Sequence, residues 1–332
     1  MFNLPPICDF VDGRFFLKEG NIMVSIIASQ SIIMLLLILV GVLAYRLKII
    51  TRDGGKQLSA LVLEIVTPVL VVHAYMDVEY SSELVVNLLW TFALATVSYI
   101  VTIFGAMLLF RKKEGRETAI ERFSAIYSNC GFMGIPLASA LYGAEGVLYV
   151  TAFLTVFFFF SWTHGIILLT GKFNTKQVLK VLRSPTIIAI VIGLILYFTQ
   201  FRLPSVITQT MNFISDLNTP LAMIASGVSV AQANILNALK NFRVYYASIG
   251  RLLILPFLTL VMCLLCGFIA EEVRIVVLLL AAAPSAAMCT LQCQKLGLHD
   301  TYASQIFAMT TILSVGTLPL MVKLFEIFLN IM

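Results

Sequence analysis

Two short runs in this chain carry residues able to hold a small anion. The first is Asn129-Cys130-Gly131-Phe132-Met133-Gly134-Ile135-Pro136, and the second is Ala281-Ala282-Ala283-Pro284-Ser285-Ala286-Ala287. A proline inside a helix removes one backbone hydrogen bond and clashes with the preceding turn, at roughly 3 kcal/mol, and the two glycines before Pro136 weaken the helix further. Each run therefore predicts a broken helix. A break exposes a half-helix N-terminus with free N–H groups and about half a positive charge, which suits a negative ligand without a buried cation. Asn129 adds an amide that both donates and accepts. Asn129, Gly131, Gly134, Pro136, Pro284 and Ser285 are the expected substrate-binding residues.

Other groups are expected nearer the edge of that site. Thr310, Thr311 and Ser314 share one face of a late helix, where they either line a cavity and coordinate a cation such as Na+ or bond back to their own helix. His164 follows the aromatic run Phe157 to Phe160, and His73 and Glu64 lie on an earlier helix. A histidine there either relays protons or makes an ordinary packed hydrogen bond. Arg251 is either an anion contact or, about two turns from Arg243, a side chain snorkelling to the surface. It is left out of the core site, which is expected to be positively polarised and free of charged side chains. Neither Cys263-x-x-Cys266 nor Cys289-x3-Cys293 is accompanied by clustered His or carboxylate, so no metal is expected and the cysteines read as small buried hydrophobes.

The elements that position these residues follow from composition. The chain has 332 residues, 60% hydrophobic and 12% charged, with 22 Lys and Arg against 17 Asp and Glu. Its mean hydropathy of +0.99 marks lipid as the main solvent. A soluble enzyme, a disordered chain and a nucleic-acid binder are excluded. At about 20 apolar residues per crossing, roughly ten spans fit. They lie near 23–45, 57–76, 84–110, 118–141, 146–170, 185–199, 208–231, 243–268, 273–295 and 301–329. Residues 1–22, with Pro5, Pro6 and scattered charges, read as a short tail rather than a signal peptide.

Basic residues set the orientation. The connections after spans one, three and five carry Arg46, Lys48, Arg52 and Lys56, then Arg111, Lys112, Lys113 and Arg116, then Lys172, Lys176, Lys180 and Arg183. Those after spans two and four carry none. A multi-pass protein of the cell membrane with both termini outside the cytoplasm is expected. Thr67-Pro68 in span two and Thr219-Pro220 in span seven are 152 residues apart, close to half the chain. A duplicated unit with an odd number of spans must insert upside down, which is a carrier signature. The expected fold class is therefore an all-α membrane protein with ten transmembrane helices in two inverted five-helix repeats. Its expected divisions are a first repeat over 23–171, a cytoplasmic connection over 172–184 and a second repeat over 185–332.

Asn129 to Gly146, Ala283-Pro284-Ser285, Thr310 to Ser314 with Pro319, Ile38 to Gly41, Thr67-Pro68, Arg183-Ser184-Pro185 and Gly227 together resemble the auxin efflux carrier family, in order and spacing, over nearly the whole chain after residue 22. A more distant similarity is to bile acid:sodium symporter-like folds. The family resemblance implies a scaffold of spans 1, 2, 6 and 7, often dimeric, and a moving transport domain of spans 3–5 and 8–10. It also implies small organic anions as substrates, such as indole acetate, malate or malonate. Related plant members place ionisable residues in the third span, whereas 84–110 here contains no Asp, Glu, Lys, Arg or His, so any coupling to H+ or Na+ must use other groups. A channel lacks a selectivity-filter motif. An intramembrane hydrolase lacks H-E-x-x-H, G-x-S-x-G and paired aspartates, so no enzyme activity is expected. No nucleotide-binding loop is visible, and a sensor built on a carrier fold stays open.

Overall fold

A computed structural model describes residues 19–111, 115–172, 183–233 and 235–331. The tail as far as residue 18, including Cys8, and positions 173–182 of the central connection lie outside the described residues. Among the described residues the chain is all helical, apart from one isolated antiparallel bridge between Ser128 and Ser285. Helix α1 (Glu19–Arg46) begins inside the segment read as a tail, because helix continues outward from an apolar run until a terminus frays. Among the described residues, six helical stretches are long and apolar enough to cross a bilayer: Ile22–Arg46, Arg52–Asp77, Ser82–Leu109, Cys130–Thr170, Phe242–Leu265 and Asp300–Ile331. A shorter apolar helix, Pro185–Thr199, accompanies them.

The other expected spans are interrupted. Residues 118–141 divide into α5 (Arg116–Ile126) and a segment beginning at Cys130, after α2 (Arg52–Leu61), α3 (Thr67–Asp77) and α4 (Ser82–Leu109). That segment runs through α6 (Ile135–Phe160), whose backbone leaves the helix at Tyr142 and at Gly143, where φ is +55°. Only glycine adopts that φ cheaply. Helix α7 (Ile166–Thr170) ends this part of the chain, and α8 (Pro185–Thr199) opens the next. Residues 208–231 divide at Leu217 into α9 (Ser205–Asp216) and α10 (Asn218–Gln232). After α11 (Ile235–Lys240), α12 (Phe242–Ile249) and α13 (Leu255–Leu265), residues 273–295 divide into α14 (Glu271–Ala282) and α15 (Met288–Leu296). The long α16 (Asp300–Ile331) closes the chain.

Pro136 does not break its helix. Three π-helical turns, Val62–Val66, Cys130–Gly134 and Gly250–Ile254, are each followed at the second position by a proline: Pro68, Pro136 and Pro256. A wider turn relieves the clash between the proline ring and the carbonyl four residues back, so the helix bulges and continues.

Close backbone contact holds α1 against α10. A Cβ on Gly41 would lie 2.2 Å from the Ile224 carbonyl oxygen, and one on Gly227 would lie 2.1 Å from that of Ile38. A Cβ on Gly193 would meet the Tyr75 ring at 2.4 Å, joining α8 to α3. Positions 41 and 193, like 75 and 227, are separated by the same 152 residues as the Thr-Pro pairs. The two Thr-Pro bends also touch, with the Thr67 hydroxyl donating to Asn218 Oδ1 at 3.0 Å. At another level Glu121, buried, accepts from Arg243 Nε at 2.7 Å and from the Tyr302 hydroxyl at 2.6 Å, tying α5, α12 and α16 together.

Candidate functional site

Two interruptions cross at the heart of the molecule. After Ile126 the backbone becomes extended at Tyr127 (φ −95°, ψ 114°) and resumes helical winding at Cys130. On the other strand Ala283 is extended (φ −57°, ψ 153°), as the residue before a proline must be, and helix resumes at Met288. The Asn129 N–H donates to the Pro284 carbonyl at 2.7 Å, and the Ala286 N–H donates to the Tyr127 carbonyl at 2.9 Å. These bonds satisfy groups that each break frees, as backbone inside a bilayer requires. A third support comes from α16, where Thr310 Oγ1 accepts from the Ser285 N–H at 3.2 Å. Alanines at 281, 282, 283 and 286 give the chains room to approach.

Four helix ends converge here, and a cation serves two of them. Arg251 is 1% exposed. Its Nε donates to the Ala283 carbonyl at 2.9 Å, and Nη1 donates to those of Ala125 (2.7 Å) and Ile126 (3.2 Å). Nη2 donates to Ala283 at 2.7 Å and also to Ala281. The C-terminal ends of α5 and α14, about half a negative charge each, thus share one guanidinium, which caps four carbonyls there. The expectation of a site free of charged side chains is corrected: Arg251 does not snorkel but is buried at the crossing, because the π turn at Gly250–Ile254 aims it inward.

The facing N-terminal ends belong to the Cys130 segment and to α15. Beside them two polar groups have no protein hydrogen-bond partner: Asn129 Nδ2 and Ser285 Oγ. Asn129 is 7% exposed and Ser285 fully buried. Unpaired polar atoms in such places cost roughly 1–3 kcal/mol each, so the two together mark a place where a polar ligand or water completes the bonding. A cavity of about 650 Å³ reaches Ala287, at the start of α15. It continues along Thr290 and Gln294 toward Arg52, Lys56 and Lys295. Arg52 pairs with Asp300 at 3.7 Å, bridging α2 and α16.

The sequence pattern of the membrane transport protein family matches residues 26–322. The chain belongs to this family, that of the auxin efflux carriers. Among curated relatives, an uncharacterized transporter of Methanocaldococcus jannaschii is 27% identical over 302 residues, covering 84% of this chain and 93% of the relative. An uncharacterized transporter of Methanothermobacter thermautotrophicus is 24% identical over 297 residues, covering 86% and 94%. Family and relatives point to a transporter rather than an enzyme, in a multi-pass membrane protein.

In this auxin efflux carrier relative, the remaining expected residues take distinct places. Gly134 lies where α14 passes closely, since a Cβ there would meet Leu280 Cδ2 at 2.1 Å. Gly131 has only Leu154 nearby, at 3.7 Å, and Pro136 is buried one turn beyond. Thr311 and Ser314 donate to the carbonyls of Phe307 and Thr311, both at 2.7 Å, so their protons stay within α16. His164 lies in the π turn Ser161–Gly165, with Nδ1 2.8 Å from the Tyr127 hydroxyl. When that hydroxyl donates to the Phe160 carbonyl at 2.9 Å, Nδ1 must carry the imidazole proton. His164 therefore meets the break at the Tyr127 side chain. His73 pairs with Asp77 at 3.1 Å, and Glu64 lines the cavity. The cluster missed in sequence is Arg251 with its carbonyls, and an arginine inside an apolar span was the available signal.

Proposed function

We propose that this protein is a secondary carrier of small organic anions, of the size of malonate, malate or an auxin-like acid, held at the crossing of the two broken helices. The observation that carries the reading is the antiparallel contact of the breaks, Asn129 to Pro284 and Ala286 to Tyr127, flanked by the unpartnered Asn129 amide and Ser285 hydroxyl. Two half-helix N-termini supply positive potential, and the buried arginine keeps the opposite ends from repelling an anion.

Ten spans in two inverted repeats fit this arrangement. In support, contacts at positions 152 apart recur on both sides, and the Thr67–Asn218 bond and the crossing both join one half to the other. Spans 1, 2, 6 and 7 would form the scaffold, with a second copy of the chain as a partner through them, and the rest a moving domain. With the basic connections in the cytoplasm and both termini outside, in a cell membrane, the cavity beside Arg52, Lys56 and Lys295 is inward-facing. Any coupling to H+ or Na+ is carried outside span three.

Counterflow tests the reading. Proteoliposomes preloaded with unlabelled malonate or malate should accumulate the labelled acid above its external concentration. A channel equilibrates label without overshoot, and that outcome, or indifference to every carboxylate tried, overturns the proposal.

A further inference from the structure

Carbonyls at the unwound C-terminal ends of half-helices are the groups with which broken-helix carriers hold a coupling cation. In this protein four such oxygens, from Ala125, Ile126, Ala281 and Ala283, converge from both halves of the crossing. All four accept from the side chain of Arg251, which reaches them from a third helix and makes no ion pair with a carboxylate among the described residues. We infer that Arg251 is a tethered cation standing in the place of a mobile coupling ion, so that the crossing assembles and takes its anion without Na+.

Charge and geometry support this together. Two helix C-termini of about half a negative charge each offset a single positive charge, leaving no net attraction for a second cation. A guanidinium offers five N–H donors in a fixed plane, and all three nitrogens of Arg251 are engaged. Each of the four oxygens that would ligate Na+ already accepts from the guanidinium, so a second cation would have to lie against that positive charge. Because the side chain is covalently part of the moving elements, the cation travels with the crossing and cannot be exchanged between the two aqueous sides.

The transport half of this inference rests on the carrier reading, whereas the binding half concerns the protein without substrate. The test uses purified full-length wild type and Arg251→Ala. Thermal unfolding is followed in choline chloride, in NaCl and in choline chloride with about 10 mM guanidinium chloride, and the same proteins are assayed for malonate uptake in vesicles. The wild type should unfold at one temperature in choline and Na+, with uptake unchanged by exchanging them. Arg251→Ala should lose uptake in choline, and guanidinium or Na+ should raise its midpoint by about 3 °C or more, as expected for an ion binding the folded state. A wild type stabilised by Na+ or dependent on it for uptake overturns the inference. So does a folded Arg251→Ala that ignores both ions. Should that variant fail to insert, Arg251→Lys retains the charge and must remain indifferent to Na+, and Na+ dependence there is equally fatal. Absence of uptake by wild type, with guanidinium still stabilising Arg251→Ala, strikes the carrier reading and leaves the tethered cation standing.

Discussion

Removing the Asn129 amide should weaken anion binding while sparing the fold. Its Nδ2 is buried without a protein partner, a burial that costs roughly 1–3 kcal/mol unless a ligand accepts from it. The backbone of Asn129, not its side chain, makes the bridge to Pro284. Asn129→Ala therefore leaves the crossing bonds intact and removes an unsatisfied donor, at the expense of a small void, so the melting midpoint should stay unchanged or rise slightly. A hydrogen bond to a charged group contributes about 1.5–3 kcal/mol, and each 1.4 kcal/mol is tenfold, so carboxylate affinity should fall about 10- to 100-fold. Equilibrium binding of whichever of malonate, malate and indole acetate binds wild type tightest, with a thermal melt of the same sample, reads both effects. Unaltered affinity would remove Asn129 from the site. A midpoint lowered by several degrees would assign it a structural role instead.

Further expectations concern the supports of the crossing. Ser285→Ala should weaken the same ligand by a smaller factor, and its effect should not add to that of Asn129→Ala if both groups touch one carboxylate, a point a double-mutant cycle decides. Pro284→Ala frees Ala283 from its extended backbone and should sharply slow uptake, whereas Pro136→Ala, beyond a π turn in a helix that already continues, should change it little; vesicle uptake rates compare them. Gly227→Ala places a Cβ against the Ile38 carbonyl, which cannot yield, and should destabilise the protein by about 1–3 kcal/mol, visible as a lower melting midpoint. Cysteines at 128 and 285, bridge partners whose Cα atoms should lie about 4.5–5.5 Å apart, should form a disulfide on mild oxidation, detectable by mass spectrometry.

Much of the architecture was legible because apolar run length and proline position act locally. The break at Pro284 is of this kind, since a proline constrains the residue before it wherever it occurs. The partner break was misplaced for an equally physical reason. Gly131, Gly134 and Pro136 drew attention to residues that a π turn absorbs, while the true interruption at Tyr127-Ser128-Asn129 contains neither glycine nor proline. It is supported by contacts distant in sequence: the Tyr127 carbonyl accepts from Ala286, and those of Ala125 and Ile126 accept from Arg251. No local pattern encodes such bonds. The same holds for Arg251, whose presence in an apolar span was visible but whose acceptors were not. Thr310, read as either a cavity group or one bonded back to its own helix, donates to the Ile306 carbonyl at 2.8 Å and also accepts from the Ser285 N–H, a long-range bond that the sequence does not encode.

The most direct measurement is a cryo-electron microscopy structure of the protein saturated with its tightest-binding carboxylate. The account predicts that acid between the half-helix N-termini, with one oxygen about 2.7–3.2 Å from Asn129 Nδ2 and another near Ser285 Oγ, while Arg251 keeps its carbonyls. Carboxylate density resting instead in the cavity that reaches Ala287, with Asn129 and Ser285 still unpaired, would contradict it.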